Sequence, residues 1–352
     1  MLTSRLSVTR VPLAKAKELR DFFARVYRPD HPLASTKFFN WYLTSSPFSR
    51  DNRICSMVAL RGEDIVGHCG FLPVKISVDQ KVKDGLWAAN LFVHPNHRRQ
   101  GIGQLLIDAV TREAPIALDI GASPTAEGIL EKCGWSHMGT LERIIAVIDG
   151  KATESLSPGC QFSPVLPLKK TLNIVKGRKF TAEADILWRE FGKIIRCGTL
   201  RNSSFLNWRY VNHPFFKYDI FFSSSRLLLR GYAVTRIEKV KDRTERVMRI
   251  VEFVSLPDSF EDLYFGLIEH AHKERVAFTD FFCSSKKYIL NFERFGSIVL
   301  NNSVNVPRLF NPLVPGKYGI SFNLYGSPDL TASMDEWYVT AGDSDQDRPN
   351  NL

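Results

Sequence analysis

One stretch of this chain combines residue types and spacing that can hold an anion: Leu91-Phe92-Val93-His94-Pro95-Asn96-His97-Arg98-Arg99-Gln100-Gly101-Ile102-Gly103-Gln104-Leu105-Leu106. Gly101 and Gly103 put no Cβ between the backbone and a ligand. At a helix N-terminus, successive backbone N–H groups point outward and the helix dipole favours negative charge. Arg98 and Arg99 can add charge-assisted contacts to phosphate. The chemistry is therefore that of a phosphate or pyrophosphate cradle. A dinucleotide-binding GxGxxG would need glycine at position 106, where Leu106 stands. A GxxxxGK followed by Ser or Thr does not occur.

A cradle of this kind needs a strand before it and a helix after it. Leu86–Val93 reads as an apolar strand. Gly101–Arg112 reads as a helix with Leu105, Leu106, Ala109 and Val110 on its apolar face. Pro115–Ile120 reads as a further strand, and Thr125–Cys133 as a helix that Gly134 ends. Upstream, Leu13–Val26 reads as a helix. A second helix, which Ser35 or Thr36 can cap, carries Phe38, Phe39, Trp41 and Tyr42. Ile54–Arg61 and Ile65–Val78 read as strands around the Gly62-Glu63-Asp64 turn.

With these neighbours, Arg98-x-x-Gly101-x-Gly103 resembles the loop of the GNAT superfamily, the Gcn5-related N-acetyltransferases. The V-x-P lead-in, the I-G-x-x-L-L helix and Leu130-Glu131-Lys132-Cys133-Gly134-Trp135 resemble the family's segments in the family's order. The resemblance implies an acyl-CoA thioester donor, acetyl-CoA or a longer or hydroxylated acyl-CoA, with no metal, and usually an amine acceptor. It implies that Leu91, Phe92 and Val93 pair with pantetheine and polarise the thioester carbonyl. The N–H groups of Arg99, Gln100, Gly101, Ile102 and Gly103 would hold the pyrophosphate, and Ser123 would lie beside the pantetheine arm.

The sequence departs from the family where acid and base are expected. Leu130 stands where many members carry a tyrosine acid. Leu86–Val93 lacks a carboxylate and offers only Asn90. Asp119 and His68 are then the candidate bases, each with a plain structural alternative. Asp280, the counterpart of Asp119, strengthens that alternative. His94 and His97 lack a third metal ligand, and His31-Pro32 is a weaker candidate for the acceptor pocket. No Ser/His/Asp or Cys/His arrangement calls for a covalent intermediate.

The chain also repeats itself. Asn40-Trp41 with Pro47 matches Asn207-Trp208 with Pro214. Asp64–His68 parallels Leu228–Tyr232, Trp87–Val93 parallels Arg249–Val254, and Glu131–Gly134 parallels Glu293–Gly296. In-order matches at a nearly constant offset point to two copies of one domain. The expected fold is α/β (α+β), two tandem GNAT-like domains, each a mixed, mostly antiparallel sheet flanked by helices. Their expected spans are 1–150 and 160–340, with Gly150–Gly159 a linker and 341–352 a loose polar tail. Only the first copy has the loop: Ser255-Leu256-Pro257-Asp258-Ser259-Phe260 replaces it in the second.

Composition fits a globular protein, with 44% hydrophobic and 24% charged residues among 352. No apolar run of 18 residues suggests a membrane span. The six cysteines are scattered, which fits reduced cytosolic thiols. The net charge of +10 favours anionic partners. No basic run interleaved with aromatics favours nucleic acid. Tandem chains of this kind resemble bacterial acyltransferases of surface-polysaccharide pathways, so the expected acceptor is a nucleotide-linked amino sugar. The alternatives are an aminoglycoside, a peptide or peptidoglycan precursor, or an acyl-CoA-binding regulator without turnover.

Overall fold

The computed structural model describes residues 5–49, 51–168, 173–225, 228–300, 306–308, 313–315 and 319–349. The chain divides into two compact units. They are not consecutive halves. The first takes residues 1–140, 320–334 and 349–352, and the second 141–319 and 335–348.

The first unit begins with β1 (Leu6–Pro12), α1 (Ala16–Val26), α2 (Thr36–Leu43), β2 (Arg53–Arg61), β3 (Asp64–Val78) and β4 (Lys81–Val93). It continues with α3 (Ile102–Thr111), β5 (Ala117–Ile120), α4 (Pro124–Lys132) and β6 (Ser136–Thr140). The second unit holds β7 (Glu142–Val147), α5 (Gly150–Leu156), β8 (Ile174–Gly177), α6 (Ala182–Phe191), β9 (Cys197–Thr199), α7 (Ser203–Leu206) and β10 (Asp219–Ser225). There follow β11 (Leu228–Lys239), β12 (Arg246–Ser255), α8 (Phe260–Lys273), β13 (Phe278–Cys283), α9 (Lys286–Arg294), β14 (Ile298–Val299), β15 (Pro307–Arg308) and β16 (Val314–Pro315). Last come β17 (Ser321–Tyr325), which belongs to the first unit, and β18 (Trp337–Tyr338), which pairs with β9 in the second.

Within the first unit the strand order is β1-β2-β3-β4-β5-β17-β6. In the second it is β8-β10-β11-β12-β13-β7-β14. The two orders correspond position by position, as the sequence repeat anticipates. The sixth place is exchanged. β7, which follows β6 almost directly, pairs with β13 and β14, while β17 from the chain's end pairs with β5 and β6. The 1–150 and 160–340 boundaries therefore do not describe the units, because hydrogen-bond ladders override sequence order.

Local chemistry accounts for the elements that matter to the site. β3 and β4 form one long hairpin through Asp79 and Gln80, whose φ values are 47° and 63°. Two successive left-handed residues make the tight turn that suits strand twist, and β4 begins five residues before the strand read from sequence. Ser35 occupies the N-cap of α2 without a side-chain capping bond. Leu86, Ala88, Ala117, Ile102, Leu106, Val110, Leu130 and Trp135 build the core between the sheet and α3 and α4. Phe22, Phe23, His68 and Phe92 pack under α1 on the other face.

Two further expectations are corrected. The Gly150–Gly159 segment is not an open linker, because Asp149 caps α5 by accepting from Ala152 N–H at 3.0 Å. The acidic stretch after Gly342 is not loose: Asp343 and Asp347 are 1% and 0% exposed. Arg201 donates to Asp343 at 2.7 Å, and Arg236 and Tyr218 hold Asp347 at 2.6 and 2.7 Å. Residues 350–352 of that expected tail lie outside the described ones.

Candidate active site

The site starts with a fork in the first sheet. β4 pairs with β5 only at Leu86↔Ala117 and Trp87↔Leu118. On its other edge β4 stays paired with β3 to the end, with one irregularity. Between the Gly70↔Ala89 and His68↔Phe92 pairs, Asn90 and Leu91 face the single Cys69, and Asn90 takes φ +57°. This bulge breaks the alternation of side chains and bends the strand. Leu91 in the bulge and Phe92 and Val93 beyond it are partly exposed. Their β5-facing edge can hydrogen-bond an extended ligand, as an exposed strand edge does.

The loop sits at the open end of the fork. His94 N–H donates to Val66 O at 2.8 Å, and a 3-10 turn covers Pro95–His97. Arg99 and Gly101 take φ +60° and +75°, so the chain turns sharply into α3. Leu105 N–H reaches Gly101 O at 3.1 Å. The N–H groups of the preceding turn, including Ile102 and Gly103, have no acceptor inside the helix and are available to an anion. Gly101 is demanded by its backbone angle, since a Cβ there would meet nothing within 4 Å. At Gly103 a Cβ would lie 2.9 Å from Ile129 Cδ1 on α4, so the tip of that side chain would have to shift to admit one. Arg98 is exposed, with its Nε donating to Val93 O at 3.0 Å. The Gln100 side chain accepts from Arg61 at 2.7 Å, which leaves its backbone for the cradle.

The corresponding turn of the second unit is electrostatically opposite. α8 opens with Glu261 and Asp262 after Asp258, whereas the first turn of α3 holds no acidic residue. Carboxylates at a helix N-terminus occupy the place an anionic ligand would need.

Asp119 follows Leu118, the last β5 residue paired with β4, and is half-buried. Asn323 on β17 donates from Nδ2 to Asp119 Oδ1 at 3.1 Å. The other end of the amide meets His137 Nδ1 on β6 at 3.1 Å. Cys69 is buried nearby. Burial pushes its thiol pKa well up, and the charge of Asp119 adds to that rise. The counterpart Asp280 is in a different situation. It is 1% exposed and tied to Arg143 at 2.8 Å and Arg249 at 3.5 Å. Burial pushes its carboxyl up, but the two guanidiniums outweigh that and hold it below the usual range. The structural role of Asp280 therefore does not carry over to Asp119.

His68 is a core histidine. It is 0% exposed, bonded through Nε2 to Tyr27 OH at 2.9 Å and packed against Phe22, Phe23 and Phe92. Burial, with nearby His31 adding, pushes its pKa down to about 3, too low for an effective base near neutrality. His31 stacks on Tyr27 at 4.3 Å and accepts from Leu33 N–H at 3.3 Å. Leu130 lies in the core and supplies no acid. The Ser123 hydroxyl accepts from Ala126 N–H at 3.3 Å and caps α4.

Beside the loop, on the α1 side, a cavity of about 770 Å³ is lined by Phe22, Arg25, Phe92, His94, His97 and Arg98 among others. Two arginines and two histidines stand against the one carboxylate of Asp64, which leaves the lining basic on balance, and the phenylalanines add an apolar wall. Among the described residues no group of three or more His, Cys, Asp or Glu is gathered as a metal would require.

The structure thus brings Asn90–Val93, Arg98–Gly103 and Asp119 to one fork and assigns His68 to the core. Sequence reasoning missed Asn323, which lies 204 residues from Asp119 and signals nothing locally.

Residues 52–137 match the model of the acetyltransferase (GNAT) domain. The chain is similar to the crystal structure of a GCN5-related N-acetyltransferase from Anabaena variabilis, with TM-score 0.63, 13% identity, and coverage of 91% of this chain and 72% of that one. It is also similar to N-myristoyltransferase of Saccharomyces cerevisiae with bound myristoyl-CoA, with TM-score 0.57, 13% identity, and coverage of 94% and 87%. A probable N-acyltransferase from Enterococcus faecalis gives TM-score 0.57, 13% identity, and coverage of 90% and 72%. None of the curated proteins matches the chain. The fork, the bulge and the loop lie within the matched residues, so this chain carries an acyltransferase domain of the GNAT type at residues 52–137.

Proposed function

We propose that the protein transfers an acyl group from acyl-CoA to the amino group of a nucleotide-linked amino deoxysugar, for example a dTDP-linked one, in surface-polysaccharide synthesis. The observation that carries the donor half is the β4–β5 fork ending in the Arg98–Gly103 turn at the start of α3. In this reading pantetheine lies along Leu91–Val93 and the pyrophosphate on the N–H groups of residues 99–103. The acceptor half rests on charge. The chain is +10, and the 770 Å³ cavity beside the loop pairs a lining that is basic on balance, Arg25 and Arg98 against Asp64, with aromatic faces. That combination suits a ring-bearing anion better than a polycation such as an aminoglycoside.

Asp119 takes a proton from the acceptor ammonium. The freed amine attacks the thioester carbonyl, the C–N bond forms as the C–S bond breaks, and the proton that the nitrogen loses in becoming an amide ends on the departing thiolate. The donor length is open to the same assay, because a structural relative holds myristoyl-CoA. Thiol release from acetyl-, longer-chain and hydroxylated acyl-CoA, measured against nucleotide-linked amino sugars, aminoglycosides and peptides, tests the reading. Turnover confined to nucleotide-linked amino sugars supports it. Turnover confined to another acceptor class, or acyl-CoA binding with no turnover across the panel, overturns it.

A further inference from the structure

β5, β17 and β6 lie side by side, and the register sets Asp119, Asn323 and His137 opposite one another. A register shift between Phe322 and Asn323 on the β6 side sets His137, rather than the next residue in step, against Asn323. Asn323 is 2% exposed, so both ends of its amide must find partners within the protein. An ionised carboxylate only accepts, so the NH₂ of Asn323 faces Asp119. Its carbonyl then faces His137, whose Nδ1 must carry the hydrogen. The two 3.1 Å bonds form one directed chain, His137 N–H to Asn323 to Asp119.

We propose that Asn323 is a positioning residue for acyl transfer, its amide holding Asp119 as an oriented, ionised carboxylate at the fork and tying it to His137. This rests on the reading of Asp119 as the base. It also gives the end of the chain a part in the reaction: residues 321–325 supply the strand that completes the motif-bearing sheet. A one-residue slip of β17 would move Asn323 to the other face of the sheet, so the site depends on that register. Among the described residues, the titratable groups facing Asp119 include Cys69 from β3 and, through Asn323, His137 from β6. Cys69 stays a neutral thiol. Donation by the amide favours the ionised carboxylate, so losing it must shift proton loss from Asp119 to higher pH.

The test compares wild type with Asp119→Asn, Asn323→Leu and the near-isosteric Asn323→Asp. It reads kcat/KM against pH for thiol release from acetyl-CoA with the panel acceptor that turns over fastest. Asp119→Asn should lose about 100-fold or more. Asn323→Leu should lose about 10-fold and move the acidic limb up by about one pH unit, with acetyl-CoA affinity unchanged. Asn323→Asp should move the limb further, because it sets a second carboxylate against the first. An inactive Asp119→Asn beside two Asn323 variants with the wild-type limb overturns the positioning role alone. An Asp119→Asn variant with wild-type activity overturns the base assignment and the role with it. Long-range ¹H–¹⁵N correlation gives a readout independent of turnover. His137 should carry its hydrogen on Nδ1 in the wild type and lose that preference in Asn323→Leu; hydrogen on Nε2 in the wild type contradicts the proposal.

Discussion

His68 and Gly101 mark what single residues reveal and conceal. The need for glycine at 101 is legible in sequence, since only the loop pattern explains it, and the φ of +75° gives the physical cause. The state of His68 is not legible. A strand histidine one residue from a glycine looks available, and only the packing of Phe22, Phe23 and Phe92 around it makes it inert. Its depressed pKa of about 3 has a consequence for stability. The unfolded chain binds a proton near pH 6.5 and the folded protein does not, so stability falls as pH drops from 6.5 toward 3. The expected slope from this one group is about 1.4 kcal/mol per pH unit. Urea midpoints of wild type and His68→Phe across that window test it. The variant should lose about one proton's worth of slope, whereas parallel curves would contradict the buried neutral assignment.

Among elements, those around the loop could be read from sequence because their signals are local. Apolar periodicity gives α3, glycine ends α4, and alternation with a turn gives β2 and β3. β1 and the first half of β4 escaped because polar residues at a sheet edge and a Lys-rich hairpin arm resemble loop. The strand exchange escaped for a deeper reason: nothing in the sequence of β7 or of β17 names its partner. β17 is paired on both edges and Leu324 is 0% exposed. Leu324→Pro removes a ladder donor, clashes in a central strand and empties a core site, so it should destabilise the protein by about 3 kcal/mol or more. It should also abolish acyl-CoA binding although it lies far from the loop in sequence. Denaturant unfolding and a binding titration check both, and intact acyl-CoA binding would contradict the place given to β17.

At the scale of the whole molecule, the repeat and the +10 charge were legible, but the distribution of charge was not. The acidic stretch near the end looks solvated, yet Asp347 is fully buried against Arg236, with Arg249 at 4.0 Å. Burial raises its carboxyl pKa, and the two arginines with the Tyr218 hydroxyl together more than offset that and hold it low. Asp347→Asn leaves guanidinium charge buried without its carboxylate and should cost about 3–5 kcal/mol, read from the unfolding midpoint; a change within error would mark the pair as energetically idle. The same asymmetry of charge separates the two copies, with Arg98 and Arg99 before α3 and Asp258, Glu261 and Asp262 around the start of α8. A calorimetric titration of coenzyme A into wild type and Gly101→Val tests the central claim most directly. The fork-and-loop account predicts one site per chain, and at least about a tenfold loss of affinity in the variant, from left-handed backbone strain and a side chain in the cradle. Two equivalent sites per chain, or wild-type affinity in Gly101→Val, would contradict it.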